Sequence, residues 1–258
     1  MTTVADILNF METLAPRSMK MEWDNVGLLC GSKNAEVTKI LVALDPFEGV
    51  CQEAAQNGAQ LIVTHHPLIF RAPNAITDET SVGRSIMFLC RHGISAINAH
   101  TNLDQVSGGV NDVLAKKLGL QNVQVINPVD GVGLLRCGDV AEQSLEAFLA
   151  TVKENLGCEG LRYVSSGRAV RKVAVGGGSC ASELMDAISA GCDTFVTADI
   201  KYNQFWDAYD LGMNLIDAGH FQTENPVVAV LAEKIATAFP QIQVEISKTH
   251  TDCMKFFC

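Results

Sequence analysis

The sequence predicts an α/β fold of two similar halves, each with a mixed, mostly parallel sheet in α/β/α layers, the halves related by a pseudo-two-fold. Three observations carry this. Short apolar runs such as KILVAL at 39–44 alternate with stretches of helical spacing. The chain also repeats its own words in order: DNVGLLCG (24–31), KILVAL (39–44), GAQLIVTHH (58–66) and GISAINAHTNLD (93–104) are echoed by DGVGLLRCG (130–138), KVAVG (172–176), GCDTFVTAD (191–199) and GMNLIDAGHFQTE (212–224). Finally, 258 residues at 48% hydrophobic and 19% charged are ample for one large domain or two smaller ones. The expected halves are residues 1–125 and 126–258, joined near 121–128.

Each element has a local reason. Residues 3–14 place Val4, Ile7, Leu8, Met11 and Leu14 at helical spacing, with Thr2 or Thr3 as N-cap and Pro16 past the end. A strand is expected at 23–31 and a buried one at 39–44, ended by Asp45 and Pro46. A helix at 48–57 stops at Gly58, and the strand that opens LIVTHHPLIF (61–70) follows. A helix at 81–92 ends at Gly93, a strand occupies 94–99, and a helix at 110–118 ends at Gly119. The second half repeats this order but inserts a helix at 144–155 and a strand at 161–164 between its first two echoes. The last strand, 243–246, has no sheet assigned to it from sequence.

Composition excludes several classes. A formal net charge of −10 argues against a nucleic-acid partner, which needs a basic face. The nine cysteines form no CxxC pair, so neither a disulfide framework nor a thiolate zinc site is indicated, and reduced thiols point to the cytoplasm. Residues 1–14 contain acids and no long apolar core, unlike a signal peptide, and no run reaches the ~20 apolar residues of a membrane span.

The candidate chemistry starts at His65 and His66. An apolar run stopped by Pro67 reads as a buried strand that delivers these histidines to a sheet edge, where open α/β sheets put their ligands. The simpler alternative is one packed and one solvated histidine. If the halves match, equivalent strand ends offer His65, His66, His100 and Asp104 from the first and His220 and Glu224 from the second. A helix starting after Gly219 would set His220 and Glu224 on one face, one turn apart. On an extended backbone His65 and His66 would point to opposite sides, which suits two metals better than one. Asp104 and Glu224 can supply the carboxylates that bridge such a pair. Imidazole and carboxylate without thiolate suit two divalent ions of iron, zinc, manganese, cobalt or nickel, with no choice among them.

VTHHP, AHTNLD and DAGHFQTE in that order, with WDNVGLL early on, resemble the dinuclear-metal family of GTP cyclohydrolase I type 2 homologues, or NIF-three-like proteins, over essentially the whole chain. The resemblance implies His65, His66, Asp104, His220 and Glu224 as metal ligands in a cleft between two α/β domains. His100 stands at the extra histidine of the second motif and is expected to transfer protons. Toroidal homohexamers are implied as well. The expected activity is a metal-dependent hydrolase, GTP cyclohydrolase-like, acting on a nucleotide or a phosphorylated or heterocyclic small molecule. The alternative is a non-enzymatic metal-binding or metal-delivering scaffold acting through partners. The tail THTDCMKFF follows the family less clearly, and no role for His250 is carried over.

Other signals weigh less. GGGSCA (176–181) fits G-x-G-x-x-A after a strand, with Asp199 about 20 residues on, as a dinucleotide site would want. Its competing readings are a phosphate contact and close packing. Asp45 is open between support of a ligand and a capping role. His92 reads as a basic residue at a helix C-terminus. Lys201 and Tyr202 read as a solvated helix start or as cleft-rim groups, and Trp23 and Trp206 as packing residues.

Overall fold

The computed structural model describes residues 1–128 and 131–257, so Asp130, which opens the second-half echo, lies outside the described residues. In order, the elements are α1 (Val4–Leu14), β1 (Gly27–Cys30), β2 (Lys39–Ala43), α2 (Glu48–Gln56), β3 (Leu61–Thr64), α3 (Ser81–His92), β4 (Ser95–Asn98), α4 (Thr101–Gln105) and α5 (Val110–Lys117). Then come β5 (Gln121–Val125), β6 (Arg136–Gln143), α6 (Leu145–Leu156), β7 (Arg162–Val164), β8 (Val170–Val175), α7 (Leu184–Ser189), β9 (Thr194–Thr197) and α8 (Tyr202–Asp210). The chain closes with β10 (Asn214–Asp217), α9 (His220–Glu224), α10 (Pro226–Ala238) and β11 (Gln243–Ile246).

Two compact units result: Met1–Leu103 with Val228–Asp252, and Asp104–Val227 with the residues from Cys253 on. The division expected between 125 and 126 is therefore drawn differently. Asp104, expected in the first half, belongs to the second unit. The C-terminal strand returns to the first because β11 pairs in parallel with β2, Gln243 opposite Lys39 through Ile246 opposite Val42. The stretch expected to join the halves is itself the edge strand β5.

The first unit's sheet runs β1-β4-β3-β2-β11, with only the β1–β4 pairing antiparallel. β3 and β4 are buried along their whole length, as parallel strands covered on both faces must be. Leu41, Ala43, Ile62 and Ala96 pack with Val50 and Ala54 of α2 and Ile86 and Leu89 of α3. Helix α1 begins in a capping box between Thr3 and Asp6 and buries Val4, Ile7, Leu8 and Met11. Residues 23–26, expected in a strand, precede the strand proper, and β1 covers only Gly27–Cys30.

The second unit's sheet runs β5-β6-β8-β9-β10-β7. Parallel pairing is confined to β8–β9–β10; the other pairings are antiparallel. Among the described residues no helix separates β5 from β6, and only a crossover returns a chain in parallel. Two apolar layers flank this sheet. Val173, Val175, Val196 and Ile216 face Leu114 and Phe148, while Ala174, Phe195 and Leu215 face Leu184 and Ala208. That alternation is the α/β/α layering the sequence predicts. The repeat is visible in the topology: β2–β3–β4 and β8–β9–β10 are the same parallel three-strand run.

Glu53 of α2 holds the end of β11 in place. Its carboxylate accepts from Ser247 Oγ at 2.5 Å, Thr249 Oγ1 at 2.6 Å and Lys248 N at 2.9 Å. Burial pushes its carboxyl up, but the bonds from Lys248, Ser247 and Thr249 outweigh this and hold it below the ordinary glutamate range. A carboxylate held low in the fold adds stability above its unfolded value, near about 4.3, and that contribution fades as pH falls through the folded value. Glu53→Gln is expected to cost about 1–2 kcal/mol at pH 7. In thermal melts, the gap to wild type should close as pH falls below about 4.

Candidate metal centre

In the first unit the backbone leaves extended geometry at Thr64, the last residue of β3. Thr64 Oγ1 donates to His66 O at 2.7 Å, and His66 N donates to Leu44 O at 2.9 Å. This turn overturns the expectation that His65 and His66 face opposite ways, because alternation applies only while the strand lasts. Their rings lie 4.9 Å apart, and that of His100 is 5.2 Å from His65 and 5.5 Å from His66. One nitrogen from each of the three lies within 4.8 Å of the others, a set able to hold a metal ion.

The opposite ring nitrogen of each is occupied. His65 Nδ1 donates to Ala99 O at 2.9 Å, His66 Nδ1 to Asp45 Oδ1 at 2.7 Å and His100 Nδ1 to Asp24 Oδ1 at 2.8 Å. A carbonyl or carboxylate can only accept, so Nδ1 carries the proton and a neutral ring keeps its lone pair on Nε2. Metal-binding histidines are oriented in this way. Burial raises the carboxyls of both Asp24 and Asp45. Bonds from His100 and Thr101 in the first case, and from His250 and His66 in the second, win and hold both well below the usual range.

Around His100 stand Trp23 and Phe70, each with its ring centre 6.1 Å away. Trp23, expected to pack, does so against Phe70 and His100 at the surface, where it is 61% exposed and walls the site.

In the second unit, Gly219 adopts φ 85°, which lets the chain turn from β10 straight into α9. His220 and Glu224 then share a helix face as expected, with Nε2 and Oε2 3.0 Å apart. His220 Nδ1 meets Asp199 Oδ2 at 2.7 Å, repeating the arrangement of the first unit. Asp199 stands where the repeat puts His66, so one position serves as candidate ligand in one unit and as support in the other. Asp104 and Glu224 are buried. The Cys180 thiol is raised well above its usual value by burial and then by the negative charge of Asp104 and Glu224. Two buried carboxylates near one thiol are a set that a divalent cation would neutralise.

The glycine-rich loop gains a packing explanation. Gly177 N donates to Asn111 Oδ1 and Gly178 N to Thr223 Oγ1, so these amides are spent inside the protein. A Cβ on Gly178 would lie 2.1 Å from Glu224 Oε1 and 3.1 Å from His220 Nε2, at φ +61°. The glycine makes room for the candidate ligands and leaves no phosphate cradle at those amides. Gly178→Ala is expected to cost about 2 kcal/mol and to weaken metal uptake, measurable by denaturation and equilibrium dialysis.

The remaining signals sort out physically. His92 ends α3, stacks on Phe88 at 4.0 Å and bonds Phe88 O, a structural role. Lys201 caps α8, its amide donating to Gln204 Oε1 at 2.9 Å. Trp206, expected to pack, is half exposed beside Tyr163, Tyr202, Phe205 and Tyr209 around Arg162, in a cavity of about 460 Å³ that includes none of the candidate ligands. Sequence reasoning missed Asp24 and the Ala99 carbonyl as histidine partners. The adjacency of Asp24 to Trp23 in the WDNVGLL word was the only available signal for the former.

Residues 2–253 match the model of the family described as Duf34/NIF3 (NGG1p interacting factor 3). The chain belongs to this family. Among Duf34/NIF3-like relatives, a Clostridium perfringens protein named GTP cyclohydrolase 1 type 2 homolog is 37% identical over 257 residues, covering 97% of this chain and 98% of its own. A Clostridium acetobutylicum protein of the same name is 33% identical over 263 residues, covering 98% of each. The crystal structure of a Bacillus cereus protein related to NIF3 matches with TM-score 0.94 at 26% identity, covering 100% of this chain and 99% of that one. A Staphylococcus aureus structure matches at TM-score 0.91 and 30% identity, covering 99% of both. No helix among the described residues is long and apolar enough to cross a membrane.

Proposed function

We propose that this Duf34/NIF3 chain is a metal-dependent hydrolase in which His65, His66, Asp104, His220 and Glu224 hold two divalent cations. Its substrate is a nucleotide or another phosphorylated or heterocyclic small molecule. The observation that carries the reading is the polarity of the imidazoles: His65, His66, His100 and His220 all have Nδ1 engaged by a backbone or carboxylate oxygen. Four rings held alike, with Nε2 left for coordination in His65, His66 and His220 and for a proton in His100, are arranged for chemistry rather than for packing. The donor set of imidazole and carboxylate fits hard to borderline divalent ions. The name of the relatives, GTP cyclohydrolase 1 type 2 homolog, agrees with nucleotide chemistry.

Bound divalent ions would supply an acidified water and polarise the attacked phosphoryl or ring carbon. The protein's own groups do the rest. His100 accepts a proton on Nε2 while the ionised Asp24 on Nδ1 stabilises the resulting imidazolium. Trp23 and Phe70 give a flat substrate ring an apolar wall beside that proton carrier. The same reading takes the protein as a cytoplasmic homohexamer, a state that mass measurement in solution would test. Hydrolysis of nucleotides and phosphoesters by metal-loaded protein, run beside His65→Ala, tests the activity. Turnover is expected in wild type and only background in the variant; equal rates would end the hydrolase reading.

A further inference from the structure

We propose that His250, from the C-terminal segment, is a positioning residue that orients the imidazole of His66 through Asp45. The inference rests on the metal-binding reading above and assigns a role to a residue that reading leaves out. Asp45 sits just beyond β2 with its two carboxylate oxygens divided between two rings. Oδ1 accepts from His66 Nδ1 at 2.7 Å, and Oδ2 meets His250 Nε2 at 2.9 Å. The His250 side chain is only 5% exposed. Its ring lies nearly parallel to that of Phe47, with 5.8 Å between centres and 20° between planes.

The segment that delivers His250 is itself fixed. β11 runs parallel to β2, Ser247 N donates to Val42 O at 2.8 Å, and Glu53 binds Ser247, Lys248 and Thr249. His250 N then donates to Ser247 Oγ at 3.2 Å. A carboxylate with one hydrogen-bonded ring can still swing about its χ torsions. With a second buried donor on the other oxygen, its plane is set, and with it the direction in which His66 Nε2 points. Groups that orient a metal-binding histidine in this way typically change metal affinity 10- to 100-fold. His250 stands one bond further out, so the lower end of that range is expected.

The experiment uses Co²⁺ on the full chain, following affinity by equilibrium dialysis and coordination by the visible absorption of the bound ion. His250→Phe keeps a ring on Phe47 but has no donor for Asp45. His250→Gln places an amide N–H at similar reach. The expected result is about tenfold weaker Co²⁺ binding with an altered spectrum in His250→Phe, near wild-type behaviour in His250→Gln, and no added loss when His250→Phe is combined with Asp45→Asn. If a phenyl ring prevents folding, His250→Asn, whose amide stops short of Asp45, carries the same expectation. Wild-type binding and spectrum in the donor-free variant, an equal loss in His250→Gln, or losses that multiply with Asp45→Asn would each overturn the proposal. His66→Ala separates the two levels. If it binds Co²⁺ like wild type, the metal reading fails and this proposal with it; if it loses binding while His250→Phe does not, only the role of His250 fails.

Discussion

Arg136→Ala is expected to lower stability by about 3–5 kcal/mol, read as a fall in the denaturant midpoint of the metal-free protein. The side chain is 2% exposed at the start of β6, a position where arginine is tolerated only if its donors are used. They are used: Nε pairs with Asp112 Oδ1, Nη1 donates to Gly133 O at 2.7 Å, and Nη2 donates to Gln105 O at 3.0 Å and Val106 O at 3.2 Å. One guanidinium thus gathers the end of α4, the first turn of α5 and the loop before β6. Its loss would leave an aspartate and several carbonyls facing a cavity. Arg136→Lys is expected to recover little, since three ammonium donors cannot reproduce the planar fork. The neighbouring Asn111 of α5 donates to Asp104 O at 3.1 Å and Leu134 O at 2.7 Å while accepting from Gly177 N at 2.7 Å. Loosening this cluster should therefore also loosen the backbone that carries Asp104.

Asp24→Ala is expected to cost about 3 kcal/mol and, because its partner His100 carries the proton, to slow hydrolysis by the metal-loaded protein by about 100-fold or more. Its buried carboxylate accepts from His100 Nδ1 at 2.8 Å, Asn25 N at 2.8 Å, Thr101 N at 3.0 Å and Thr101 Oγ1 at 2.5 Å. Alanine leaves those donors without this acceptor and lets the His100 ring rotate. Asp24→Asn separates the two effects: it keeps the volume and part of the bonding, so stability recovers more than turnover does. Denaturation and hydrolysis assays of both variants check this. Similar losses of turnover and stability in the two variants would count against an orienting role.

The repeat and the strand ends were legible because they depend on local pattern. Buried parallel strands must be apolar throughout, so KILVA, LIVT and TFVT stand out, and Gly93 and Gly219 mark turns whose positive φ favours glycine. His220 and Glu224, four residues apart on one helix, were legible for the same reason. The relative facing of His65 and His66 was not, because one hydroxyl bond from Thr64 replaces strand alternation with a turn.

The sequence alone determined that the chain is an α/β repeat whose equivalent strand ends carry imidazoles and carboxylates, and that resemblance placed it among the NIF-three-like proteins. Tertiary structure decided which oxygen holds each ring, which unit Asp104 belongs to, and that strand β11 crosses back to bring His250 against Asp45. Those facts depend on partners 21 to more than 200 residues away, such as Asp45 for His66 and His250 for Asp45. A hydrogen bond between residues so separated leaves no periodicity in the chain, and only packing brings its two ends together.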